Sequence, residues 1–135
     1  MEKHPIRVIV DRDCYGRPVI IDSKISFFGE IDPEKGVYRP TNTSISGRPL
    51  IFRGGRGSTV GSYIIYGLKY YGKAPSCMLV GEAEPIIIVG CILADIPLYV
   101  VENYNLLLQS LLDSDREKCI RHKRGSRFVE VFECG

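Results

Sequence analysis

The chain has no apolar run long enough to cross a membrane. Its longest candidate, PIIIVGCILADIPLYVV, is broken by Asp95 and Pro97, and the N-terminal MEKHPIRVIVDRD lacks the apolar core of a signal peptide. The expectation is a cytoplasmic protein that does not engage a membrane. An excess of charge of one sign is missing too. The 18 basic and 16 acidic residues are spread along the chain and leave a net charge of +2, so there is no global electrostatic footprint for nucleic acid. Cysteine pairing signals are also missing: Cys14, Cys77, Cys91, Cys119 and Cys134 contain no CxxC, and neither His4 nor His122 stands at zinc-ligand spacing. That pattern suggests neither a self-contained metal site nor a disulfide framework. Cys77 and Cys91, inside apolar stretches, read as small core residues, and Cys134 reads as a tail thiol. What is present is ordinary for one folded domain. The 135 residues, 44% hydrophobic and 25% charged, suffice for one core rather than two, and no internal repeat divides them.

Periodicity places the elements. IRVIV (6–10) and PVIID (18–22) read as strands joined across a polar turn at Asp11 to Gly16, a hairpin. ISFFGEIDPEKGVY carries the turn signal Asp32-Pro33-Glu34-Lys35-Gly36, and RPTNTSISGRP (39–49) has loop composition. From Pro49 onward the pattern becomes strand PLIF, a glycine-rich turn, a helix from about Ser58 to Tyr71, strand CMLV, a helix from about Glu84 to Leu93, and strand IPLYVV. Short right-handed crossovers make these strands parallel neighbours in a β-α-β-α-β run. Leu107, Leu108, Leu111 and Leu112 give a third helix, over Tyr104 to Leu112, an apolar stripe. RFVEVFE reads as a closing strand. The fold class is α/β, with a β-rich first part.

The segment FRGGRGSTVGSY (52–63) is where chemistry is expected. A strand that ends in glycines and delivers the chain into a helix gathers backbone N–H groups at the positive end of a helix dipole, which suits an anion. Gly57 stands where a Walker loop needs Lys, and the glycines do not follow G-x-G-x-x-G, so neither nucleotide signature is met. Two readings of Ser58 remain open from the residues alone. It is the N-cap of the helix, with the glycines serving a tight turn, or it is a reactive hydroxyl whose oxyanion the amides and the dipole stabilise. His4 and His122 lie in polar contexts that read as exposed, so a Ser-His hydrolase is not supported.

GRGSTVGSY, GKAP (72–75), AEPII (83–87) and GCILADIPL (90–98), with ISFFGEIDPEKG upstream, together resemble the small subunit of the aconitase X family. Residues 5–100 carry the resemblance, within one domain over 1–135 whose 114–135 form a basic C-terminal segment. The resemblance implies the swivelling β/β/α domain of aconitases. It implies a separate large subunit that carries an iron-sulfur cluster, so that no cysteine of this chain ligates metal. It also implies reversible dehydration of (R)-5-phosphomevalonate to trans-anhydromevalonate 5-phosphate in an archaeal mevalonate pathway, active only when the two subunits meet. Aconitases place their proton-accepting serine at the first Ser of a Gly-x-Gly-Ser-Ser turn, which maps to Ser58. Where aconitases then have an Arg that grips substrate carboxylate, this chain has Val60. Substrate anchoring falls to Arg56 or Arg53, the Gly57 amide and Thr59, while Ser62 is the alternative base or a further substrate contact.

Two rival readings keep the loop but change its use: dehydration of another hydroxy acid such as hydroxyproline, or a non-catalytic swivelling module that only binds an anion. Tyr63, Tyr66, Tyr70 and Tyr71 surround their helix and cannot all face one core, so they are either half-buried surface or contacts with the partner subunit. Glu82 and Glu84 precede a helix that has Pro85 in its first turn, where acidic residues are favourable for dipole reasons alone. REKCIRHKR (116–124) reads as a solvated basic surface rather than a nucleic-acid site.

Overall fold

Strands in the middle of the chain show no polar and apolar alternation, and their burial on both faces explains it. The computed structural model describes residues 2–135. In chain order it contains β1 (Glu2–Val10), β2 (Cys14–Gly16), β3 (Val19–Ile25), α1 (Phe27–Glu30), β4 (Ile31–Asp32), β5 (Val37–Tyr38) and β6 (Thr43–Ser44). Then follow β7 (Pro49–Gly55), α2 (Gly61–Tyr70), β8 (Cys77–Val80), α3 (Pro85–Ala94), β9 (Leu98–Val101), α4 (Tyr104–Leu112), β10 (Lys118–His122) and β11 (Phe128–Glu133). Eight strands form one sheet in the order β2-β10-β11-β1-β9-β8-β7-β3, and β4, β5 and β6 form a small second one. β3, β7, β8 and β9 are parallel, as the short crossovers require, and β1 joins β9 antiparallel.

Successive residues of β7, β8 and β9 point into two different cores. Leu50, Phe52, Met78, Val80, Leu98 and Val100 pack with Ile65 and Leu68 of α2 and Ile87 and Cys91 of α3. Ile51, Cys77, Leu79, Tyr99 and Val101 pack on the other face with α4 and with residues of β10 and β11. α2 and α3 approach closely at one point: a Cβ on Gly90 would lie 2.8 Å from Ile65 Cβ. Gly90→Ala is therefore expected to overpack this contact and destabilise the chain by about 1–3 kcal/mol, read as a lower midpoint in chemical denaturation.

The structure differs from the sequence expectations in four places. The first two strands are not a hairpin: β1 pairs with β9 and β11, whereas β3 lies at the far end of the sheet beside β7. β3 is an end strand whose burial alternates, and the long connection after it lets it return parallel to β7 rather than pair with its neighbour in sequence. Second, the basic 116–124 segment is not simply a solvated surface. Its centre is β10, an internal strand with Cys119, Ile120 and His122 buried, while Arg116, Lys123 and Arg124 stay exposed.

Third, the two histidines are buried rather than exposed. His122 Nε2 lies 2.9 Å from Asp11 Oδ1, and its ring packs against Tyr99 at 4.4 Å between centroids. Partial burial alone would raise the Asp11 pKa. The hydrogen bond from His122, the Gly125 amide and the nearby charges of His122 and Arg124 outweigh that and hold it below its ordinary value. Fourth, four of the five cysteines form disulfides, Cys14–Cys77 and Cys119–Cys134. Sequence spacing gave no sign of either: Cys119 and Cys134 meet across the β10–β11 pair, whereas Cys14 and Cys77 meet only when the sheet curls. β2, at one end of the sheet, comes back against β7 and β8, where Arg48 donates to the carbonyls of Arg17 and Pro18. Cys91 stays free and buried, and burial pushes its thiol up to about 12.

A serine loop at the carboxyl edge of the parallel strands

β3, β7 and β8 end side by side, and the segments that leave them build one site. In open parallel sheets this carboxyl edge is where ligands bind. The loop after β7 is held from both sides. On one side, the Arg56 amide donates to the Ile25 carbonyl at 3.1 Å, and the Arg56 guanidinium meets Glu30 Oε2 at 3.1 Å. On the other side, Glu84 Oε2 accepts the Gly55 amide at 2.5 Å. Gly57 has φ +94°, a conformation that only glycine adopts without strain, and a Cβ there would come 3.0 Å from Ser26 Oγ. The run of glycines thus lets the loop pass between β3 and α3.

Ser58 is exposed, and it is not the N-cap of α2. Helical structure starts three residues later, after a turn in which the amides of Gly61, Ser62 and Tyr63 bond to the carbonyls of Ser58, Thr59 and Val60. The Ser58 side chain turns back within the loop, and its Oγ accepts the Val60 amide at 3.2 Å. Among the described residues the amides of Gly57, Ser58 and Thr59 have no backbone acceptor. A hydroxyl that accepts an N–H beside further N–H donors is suited to carry negative charge for the duration of a proton transfer.

The other sequence candidates separate. Thr59 and Arg56 lie in the same exposed loop, with Arg56 engaged by Glu30. Ser62 is half-buried at the start of α2, and its hydroxyl donates to the Thr59 carbonyl at 3.2 Å. It therefore does not continue a helical face from Ser58. Arg53 is on the opposite face of the sheet, paired with Asp22 at 2.7 Å and stacked over the Tyr104 ring. It is not part of the serine loop. Sequence reasoning gave no role to Lys24 or Ser26, and it reached Glu30 only within GEIDPEKG, a loop read as either bordering the site or simply turning. The one available signal was ISFFGE, whose Ile25, Ser26 and Glu30 all touch the glycine loop or its arginine. Among the described residues no group of three or more His, Cys, Asp or Glu could hold a metal ion, and no helix is long and apolar enough to cross a membrane.

The chain and its fold match known proteins. Residues 3–128 match the model of the aconitase X swivel domain. The phosphomevalonate dehydratase small subunit of Aeropyrum pernix is 53% identical over 93 residues, covering 69% of this chain and 69% of the relative. That of Thermococcus kodakarensis is 43% identical over 97 residues, covering 68% of this chain and 73% of the relative. Among solved structures, a crystal structure of Thermococcus kodakaraensis aconitase X in its holo form superposes with a TM-score of 0.84 at 35% identity, covering 98% of this chain and 100% of that one. A UPF0107 protein solved by NMR gives 0.82 at 32% identity over the same shares.

Proposed function

Because this chain belongs to the aconitase X swivel-domain family, we propose that it is the small subunit of a two-subunit hydro-lyase that dehydrates (R)-5-phosphomevalonate to trans-anhydromevalonate 5-phosphate. The observation that carries this reading is the Ser58 loop: a glycine-held hydroxyl that accepts a backbone amide at 3.2 Å, at the exposed carboxyl edge of parallel strands. Relatives bearing the name phosphomevalonate dehydratase small subunit support the substrate.

In this reading Ser58 Oγ, as the alkoxide, takes the proton from the carbon next to the substrate carboxylate, the C–H electron pair becomes the double bond, and the hydroxyl leaves the neighbouring carbon as hydroxide. The proton then passes from Ser58 to that hydroxide, which makes one water and restores the alkoxide. The Val60 amide, which donates to Ser58 Oγ, stabilises the alkoxide that accepts the proton. Thr59 and Ser62 offer neutral hydrogen bonds to substrate. Arg56 reaches a substrate anion by exchanging Glu30 for it. The residues of this chain do not suit an iron-sulfur cluster, since four cysteines are paired and Cys91 is buried with a raised pKa. The cluster belongs to the large subunit in this reading, where it supplies Lewis acidity for the departing hydroxyl. Tyr63, Tyr66 and Tyr70 of α2 and Val89, Ile92 and Leu93 of α3 are exposed and offer the large subunit an apolar contact face. In this reading the enzyme acts in the cytoplasm.

The test is to co-express the chain with its large subunit without oxygen, add 5-phosphomevalonate and follow the vinylic proton by NMR. Appearance of the alkene is expected from the complex and not from either subunit alone. An intact, cluster-loaded complex that leaves the substrate unchanged would overturn the assignment.

A further inference from the structure

Glu84 is the N-cap residue of α3, yet its carboxylate makes no capping hydrogen bond to that helix. The dipole argument that accounts for an acid at this point in sequence does not account for where the side chain goes. It reaches back to β7, and Oε2 accepts the Gly55 amide at 2.5 Å. The two glycines form a slot around it. A Cβ on Gly54 would come 3.0 and 3.2 Å from the two carboxylate oxygens, and one on Gly55 would come 3.2 Å from Oε2 and 2.9 Å from Ile87 Cδ1.

The second oxygen, Oε1, is buried with no hydrogen-bond partner, and Lys24 Nζ stands off at 4.0 Å. That long ion pair is the one charged contact of Oε1 among the described residues, and a buried carboxylate oxygen without a hydrogen bond weakens a fold. A residue kept under that burden is accounted for by what its other oxygen does. That oxygen grips the chain three residues before Ser58, opposite the grip of β3 on Arg56.

We propose that Glu84 is a positioning residue for the serine: by holding the Gly55 amide it fixes the path of the Gly55–Ser58 loop and so the approach of Ser58 Oγ to substrate. This rests on the functional reading above for its catalytic consequence, but not for the anchoring itself. Displacing a reacting group by about 1 Å lowers turnover by about 10²-fold.

The test uses the assembled two-subunit enzyme with Glu84→Ala, Glu84→Asp and Glu84→Gln. Glu84→Ala and the shortened Glu84→Asp are expected to lower kcat by about 30- to 100-fold, with KM changed less than about threefold and assembly unaffected. Glu84→Gln keeps a carbonyl oxygen for the Gly55 amide and is expected to restore kcat to within about threefold of wild type. Hydrogen exchange of the peptide that spans Gly55, measured in the same complexes, is expected to quicken about tenfold or more for Ala and Asp and to stay unchanged for Gln. Unchanged exchange in both Ala and Asp variants would overturn the anchoring. Loss of kcat in Gln equal to that in Ala, with exchange unchanged in Gln, would overturn it as well, since charge rather than position would then be at work. If the wild-type complex leaves 5-phosphomevalonate untouched, the functional reading fails, and the exchange data still decide the anchoring.

Discussion

Ser58→Ala, at the proposed base, is expected to lower kcat of the assembled enzyme by about 10³-fold while leaving assembly and KM close to wild type. A positioned general base contributes about 10²- to 10⁴-fold, and Ser62, the alternative base, is otherwise engaged. The Ser62 hydroxyl is already donated to the Thr59 carbonyl at 3.2 Å and is half-buried, whereas Ser58 is exposed and its Oγ accepts an amide. Ser62→Ala is accordingly expected to lose less than about tenfold, through loosening of the turn. Steady-state kinetics of both variants separate the two serines. A large loss in Ser62→Ala with turnover preserved in Ser58→Ala would reverse the assignment. Substitution of Ser58 introduces no buried change, so folding is not expected to confuse the result.

The largest effect on stability is expected from the Cys14–Cys77 bridge. It closes a loop of 63 residues and joins the end strand β2 to the central strand β8. On a chain-entropy account, a closed loop of that length stabilises the fold by about 4 kcal/mol. The Cys119–Cys134 bridge closes only 15 residues within one strand pair, for about 3 kcal/mol on the same account. Cys14→Ser with Cys77→Ser should therefore lower the thermal midpoint by about 10 °C or more, beyond the effect of the same change at Cys119 and Cys134. Calorimetry of the isolated chain with and without reductant checks this. A midpoint indifferent to reductant would show that neither bridge contributes. The serine loop is not tethered by either bridge, so the assembled enzyme should keep its kcat below that midpoint.

Much of this molecule is local, and the local part was legible. Runs such as CMLV and LYVV lack polar alternation because they are covered on both faces, and that alone indicates parallel strands under helices. The stripe of leucines over 104–112 and the glycines after PLIF likewise mark α4 and the serine loop. The order of motifs along the chain is enough to point to the family. The limits of the helix after the loop were less legible. Nothing in GRGSTVGSY distinguishes a serine at the N-cap from one a turn earlier, because both make short backbone contacts of the same kind.

The sequence by itself thus determined the class of fold, the family, and the loop on which the chemistry is expected. Only the tertiary structure decided the partners. It placed β3 beside β7 rather than β1, buried His4 and His122, joined Cys14 to Cys77, turned Arg53 away to Asp22 and brought Glu84 to Gly55. The physical reason is common to all five. Helix and strand patterns are written in neighbouring residues, whereas each of these contacts joins segments whose proximity depends on how the whole sheet orders and curls.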